Sequence, residues 1–98
     1  SLMLILVAYD VSTENRAGRR RLRRVARVCQ NYGQRVQKSL FECDVSETNL
    51  AKLETELLAE INQKEDNLRL YRLSKPYEKS VSQFGEFRAT DFDEPLII

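Results

Sequence analysis

Eight consecutive residues, Leu2 to Tyr9, are apolar, and the run stops on a carboxylate, Asp10. Both alternating faces of such a run are apolar, so it reads as a central strand covered on both sides or packed at an interface. A chain of 98 residues supports one small domain, here taken as residues 1–98. A domain of that size buries only about 60 to 70% of its unfolded surface, which makes a homodimer an expected way to hide more. No apolar run reaches the roughly 18 residues of a membrane span. Leu2 to Ala8 also lacks the basic flank and cleavage site of a signal peptide. The expectation is a cytoplasmic protein without membrane contact, with Met3 as its native start and Ser1 and Leu2 as an added remnant.

The residues after Asp10 change character. On a helical wheel Leu22, Val25, Val28, Cys29 and Tyr32 fall on one side, and Arg16, Arg19, Arg20, Arg23, Arg24 and Arg27 on the other. Only Arg21 breaks the stripe. Ser12 or Thr13 are candidate caps, Gly18 is a weak point near the helix start, and Tyr32-Gly33 reads as the helix end, with glycine in the left-handed position. Net charge is only +1, yet residues 1–41 hold nine Lys/Arg against two acids and residues 42–98 seven against thirteen. That split points to a localised basic surface.

Gln34 to Val45 is strand-like, but Val36 and Leu40 share one alternating phase and Phe41, Cys43 and Val45 the other. The slip near Lys38-Ser39 implies a bulge or a tight hairpin between two short strands. Ser46 is placed to cap a second helix whose Leu50, Leu53, Leu57, Leu58 and Ile61 face the core, with Glu54 inside the apolar stripe. Leu68 to Leu73 alternates as a half-exposed strand. Ser74 to Ala89 reads as an irregular connection, and the terminal DEPLII as a last strand. The order strand, helix, strand, strand, helix, strand, plus one, predicts an α+β, ferredoxin-like βαββαβ sandwich with an additional C-terminal strand.

There is no histidine, and Cys29 and Cys43 are too far apart in sequence for a local pair. The sequence thus argues against a zinc site or histidine-based catalysis, and the thiols read as core packing. Asp10, at the mouth of a sheet beside a basic helix, suggests metal-assisted work on a phosphodiester. A lone carboxylate cannot hold two metals; a two-fold dimer would supply a second Asp10, and bound Mg²⁺ or Mn²⁺ would relieve the repulsion between the two. The alternative is an Asp10 that only caps the following turn. Six arginines on one helical face repel one another and favour an anionic ligand such as nucleic acid, against the alternative of a solvated, salt-bridged face. Tyr9 and Phe41 are candidates to stack on bases, or else core residues.

The segments LVAYDVST, RRRLRRVARVCQNYGQRVQKSLFECDV and LRLYRLS together resemble the second of the two universal CRISPR-associated adaptation proteins, in a compact type I subgroup. The resemblance spans nearly the whole chain. It implies a ferredoxin-like homodimer whose two Asp10 side chains face each other and bind a divalent ion. It also implies a metal-dependent endonuclease on duplex DNA or single-stranded RNA, and a dimer clamped by the adaptation integrase during spacer acquisition. Matching residues are Tyr9 and Asp10 on the active strand, Arg16 and Arg19 at the helix entry, and Phe41; Leu40 stands where many relatives have valine. The function read here is thus a CRISPR spacer-acquisition endonuclease preferring duplex DNA, with Asp10 as metal ligand and catalytic residue. Tyr9, Arg16, Arg19, Arg20, Arg23, Arg27 and Phe41 would bind nucleic acid. The rivals are a non-catalytic DNA-binding scaffold of the same complex and a toxin-type RNA interferase. The resemblance further implies a terminal strand exchanged across the two-fold.

Overall fold

The apolar run forms β1, Met3–Asp10, at the centre of the sheet. A computed structural model describes residues 2–86, and the remaining elements follow in order: α1 Arg16–Gln30, β2 Gly33–Gln37, β3 Leu40–Val45, α2 Glu47–Glu60, β4 Asn67–Leu73 and the short α3 Tyr77–Ser80. The sheet order is β2-β3-β1-β4, and every neighbouring pair is antiparallel. This is the expected α+β, ferredoxin-like arrangement. The terminal strand read from DEPLII lies outside the described residues.

Both long helices pack on one face of the sheet. Ile5, Val7 and Tyr9 of β1 join Phe41, Cys43 and Val45 of β3 beneath Val25 and Cys29 of α1 and Leu50, Leu53 and Leu57 of α2. Ser46 caps α2 by accepting from the Asn49 N–H at 3.2 Å, as its sequence position predicts. The buried stripe of α2 is narrower than the sequence suggests. Glu54 is exposed and Leu58 is half-exposed, because these two residues, four apart, lie together on the flank of the Leu50–Leu53–Leu57 line.

Two glycines act differently from expectation. The cap of α1 is Asn15, whose side chain accepts from the Gly18 N–H at 2.8 Å; neither Ser12 nor Thr13 takes that place. A Cβ on Gly18 would collide with the Ser12 carbonyl oxygen, so this glycine lets the loop after β1 lie against the helix. At the other end, Asn31 and Tyr32 donate their N–H groups to the Val28 and Cys29 carbonyls. Gly33 has no left-handed conformation. It opens β2 opposite Cys43, where a Cβ would collide with the Glu42 carbonyl and Cys43. The phase slip is real: the β2–β3 register shifts between Arg35 and Gln37.

Among the described residues, the second face of the sheet carries no helix of comparable length. Cross-strand partners share a face, and here Leu6 lies between Glu42 and Tyr71, Ala8 between Leu40 and Arg69, and Asp10 beside Asn67. Near the start of β1, the Tyr77 hydroxyl donates to the Leu2 carbonyl at 2.9 Å. Residues Leu6, Val36, Leu40, Leu73 and Val81 line an open depression next to it.

Candidate metal and nucleic-acid site

Asp10 ends β1 with its side chain exposed on this second face. The chain beyond it is held firmly. Val11 returns to the core, and the Ser12 N–H donates to Asp66 Oδ1 at 3.1 Å. Asp66 has no solvent-exposed side-chain surface. Its carboxylate also accepts from the Asn62 N–H at 2.8 Å and from Arg21 Nε and Nη2 at 2.8 and 3.3 Å. Burial alone would raise the Asp66 pKa, but the Arg21 fork and the two backbone donors outweigh it and hold the carboxyl below the ordinary carboxylate value. Arg21, the break in the basic stripe, is thus an internal strut. Its position between the two wheel faces was the only sequence signal of that role.

Arg16, Arg19, Arg20, Arg23, Arg24 and Arg27 are all exposed on α1. At 1.5 Å per residue the row from Arg16 to Arg27 runs about 16 Å. Arg24 pairs with Glu60 at 3.2 Å, and Arg19 donates to the Thr13 carbonyl at 3.3 Å. Among the described residues, Arg16, Arg20, Arg23 and Arg27 enter no salt bridge. Of this row, Arg24 is the member ion-paired among the described residues; the others stand exposed to solvent. Asp10 and this row occupy opposite sides of the sheet and come nearest where α1 begins.

Tyr9 and Phe41, read from the sequence as base-stacking residues, are instead core residues. They are 5% and 0% exposed, and their rings stack on each other with centroids 6.3 Å apart. Both sit on the helix-covered phase of their strands, which turns them away from any ligand on the open face. Sequence reasoning missed the third member of the group, Arg35. It is buried with its guanidinium 5.0 Å from the Phe41 ring centroid, a cation–π contact. Burial pushes the Tyr9 hydroxyl up to about 12, with neighbouring Arg35 partly offsetting it. Burial likewise lifts the Cys29 and Cys43 thiols to about 12 and about 11, so both stay protonated at neutral pH, in keeping with a packing role.

Among the described residues no three acidic, cysteine or histidine side chains converge. What the described residues offer at this end of β1 is the exposed carboxylate of Asp10, a hard oxygen donor suited to Mg²⁺ or Mn²⁺ but only part of a complete site. No helix of the described residues is long and apolar enough to cross a membrane.

Known proteins resemble this chain in sequence and in fold. The sequence profile of the family described as "CRISPR associated protein Cas2" matches residues 3–81. A "CRISPR-associated endoribonuclease Cas2 1" of Moorella thermoacetica is 51% identical over 96 residues, covering 98% of this chain and 100% of the relative. A "CRISPR-associated endonuclease Cas2" of Halalkalibacterium halodurans is 48% identical over 95 residues, covering 97% and 99%. The crystal structure of Streptococcus pyogenes Cas2 superimposes with a TM-score of 0.77 at 46% identity, covering 85% of this chain and 100% of that one.

Proposed function

Since the chain belongs to the CRISPR-associated Cas2 family, we propose that it is a divalent-metal-dependent endonuclease of CRISPR spacer acquisition, active as a homodimer on duplex DNA. The observation that carries the reading is the exposed carboxylate of Asp10 at the end of a buried strand, on a sheet face that carries no long helix among the described residues. A second copy stacked on that face would cover Leu6, Leu40 and Tyr71 and contribute a second Asp10. Two such carboxylates would hold Mg²⁺ or Mn²⁺, which when bound neutralises charge developing on the phosphodiester and makes water a better nucleophile.

The chain's own residues bind and orient the backbone. Arg16 and Arg19 stand at the helix start, and Arg20, Arg23 and Arg27 continue the row as forked phosphate contacts. Burial of Tyr9 and Phe41 supports duplex over single-stranded substrate, because single-strand binding favours exposed aromatic platforms, whereas a phosphate row needs none. The adaptation integrase is the partner that the family likeness suggests, and a cytoplasmic location follows from that role.

The opposite placement of Asp10 and the arginine row favours one second reading, a DNA-measuring scaffold in which cleavage is incidental. Cleavage of matched duplex DNA and single-stranded RNA by wild type and Asp10→Asn, with Mg²⁺, Mn²⁺ and chelator, tests the nuclease reading. Duplex cleavage should disappear with Asp10→Asn or chelator while the fold and dimer persist; full activity of a clean Asp10→Asn protein overturns it. Under the scaffold reading, Asp10→Asn leaves spacer integration intact.

Binding itself should be electrostatic. With about six phosphate contacts per dimer, affinity should fall on the order of a thousandfold between about 50 and about 200 mM salt. Reversing Arg20, Arg23 and Arg27 to glutamate should abolish it, and unchanged binding would reduce the row to a solvated face.

A further inference from the structure

The one arginine that leaves the basic row points to a further role. Asp66 gathers four donors from three places: the loop after β1, helix α1 and the turn that follows α2. It also immediately precedes Asn67, the β4 residue paired with Asp10. Both neighbours of the Asp10 backbone therefore lead to this carboxylate, through Asn67 across the ladder and through Ser12 along the chain. The backbone of Ser12 is confined on its other side as well, since its carbonyl lies against Gly18. A loop residue hydrogen-bonded through its N–H and packed against a helix through its carbonyl is held in place, and the direction in which β1 delivers the Asp10 side chain is set with it.

We propose that Asp66, gripped by Arg21, is the positioning residue of the site: it fixes the strand end from which Asp10 reaches the divalent ion. The inference rests on the reading of Asp10 as metal ligand and adds to it a residue that never touches the metal. Groups that orient a ligand from behind typically change metal affinity or activity by about 10- to 100-fold when altered. The chemistry of the pair fits the task. Only a carboxylate can accept from two backbone N–H groups and a guanidinium fork at once, and an amide in its place turns its own N–H₂ toward one of those donors.

Three readouts on the intact protein test this: hydrogen exchange at individual amides, Mn²⁺ affinity by electron paramagnetic resonance, and the Mn²⁺ dependence of cleavage. Asp66→Asn should speed exchange at Ser12 on the order of tenfold and weaken Mn²⁺ binding about tenfold. Cleavage should then require more Mn²⁺ and recover most of its rate at saturation. Arg21→Lys, which keeps the charge and loses the fork, should fall between Asp66→Asn and wild type, and carries the same test should Asp66→Asn not fold. Val45→Ala, a core change opposite Met3 at the far end of β1 from Asp10, should lower thermal stability without moving Ser12 exchange or Mn²⁺ affinity. Unchanged Ser12 exchange in Asp66→Asn overturns the proposal, as does an equal loss of Mn²⁺ affinity in Val45→Ala. Wild-type Mn²⁺ binding by Asp10→Asn is a different failure: it removes the metal reading of Asp10, while Ser12 exchange still decides whether Asp66 holds the strand end.

Discussion

On the helix-covered face of the sheet, β1 contributes Ile5, Val7 and Tyr9, all nearly inaccessible to solvent. One residue out of phase, the same strand presents Leu6, Ala8 and Asp10 to the opposite face, the first two half-buried and the third exposed. The period of two along a strand thus divides β1 into a half sealed by the helices and a half that the described residues leave partly open. The comparison explains why the run is apolar throughout and yet ends on a charge: the even positions need a cover that the described residues supply only near α3 and Val81.

The contrast predicts opposite penalties on the two faces. Phe41→Ala, which removes the ring between Tyr9 and Arg35, should cost about 3–5 kcal/mol in denaturant unfolding. That is a large share of the roughly 5–15 kcal/mol that holds a small domain together. A loss below about 1 kcal/mol would mean that the aromatic cluster is not the core it appears in the packing. On the open face, Leu6→Lys should change the stability of the monomer fold by only about 0.5 kcal/mol, because the described residues leave that side chain only half-buried. Its effect should appear in sedimentation, as a shift from dimer to monomer. A Leu6→Lys protein that remains dimeric would move the interface away from this face.

The covered face was largely legible in the sequence. Alternation placed Phe41, Cys43 and Val45 together, the helical period placed Val25 and Cys29 above them, and the phase slip located the β2–β3 hairpin. What alternation could not separate was a buried aromatic from an exposed one. Tyr9 and Phe41 carry the same residue types in either role, and only the direction of their strands' phase relative to the helices decides it. Arg35 was hidden for the same reason, since a lone arginine on a short strand is ordinarily exposed, and nothing local shows that a ring 6 residues later will receive it. The Asp66–Arg21 strut joins residues 45 positions apart. Its one trace was an arginine out of step with its neighbours, and a helical wheel says nothing about where such a residue finds its partner. Asp10 was conspicuous because a charge closing an apolar strand breaks a strong pattern, although the pattern does not say how many chains share it.

That last point is open to a direct count. Titrating Mn²⁺ into the protein and measuring bound ion by electron paramagnetic resonance should give one ion per two chains for wild type and none at the same site for Asp10→Asn, because in the proposed dimer two Asp10 carboxylates share one ion. One ion per chain, or undiminished binding by Asp10→Asn, would contradict a metal site built from Asp10 of two stacked sheets.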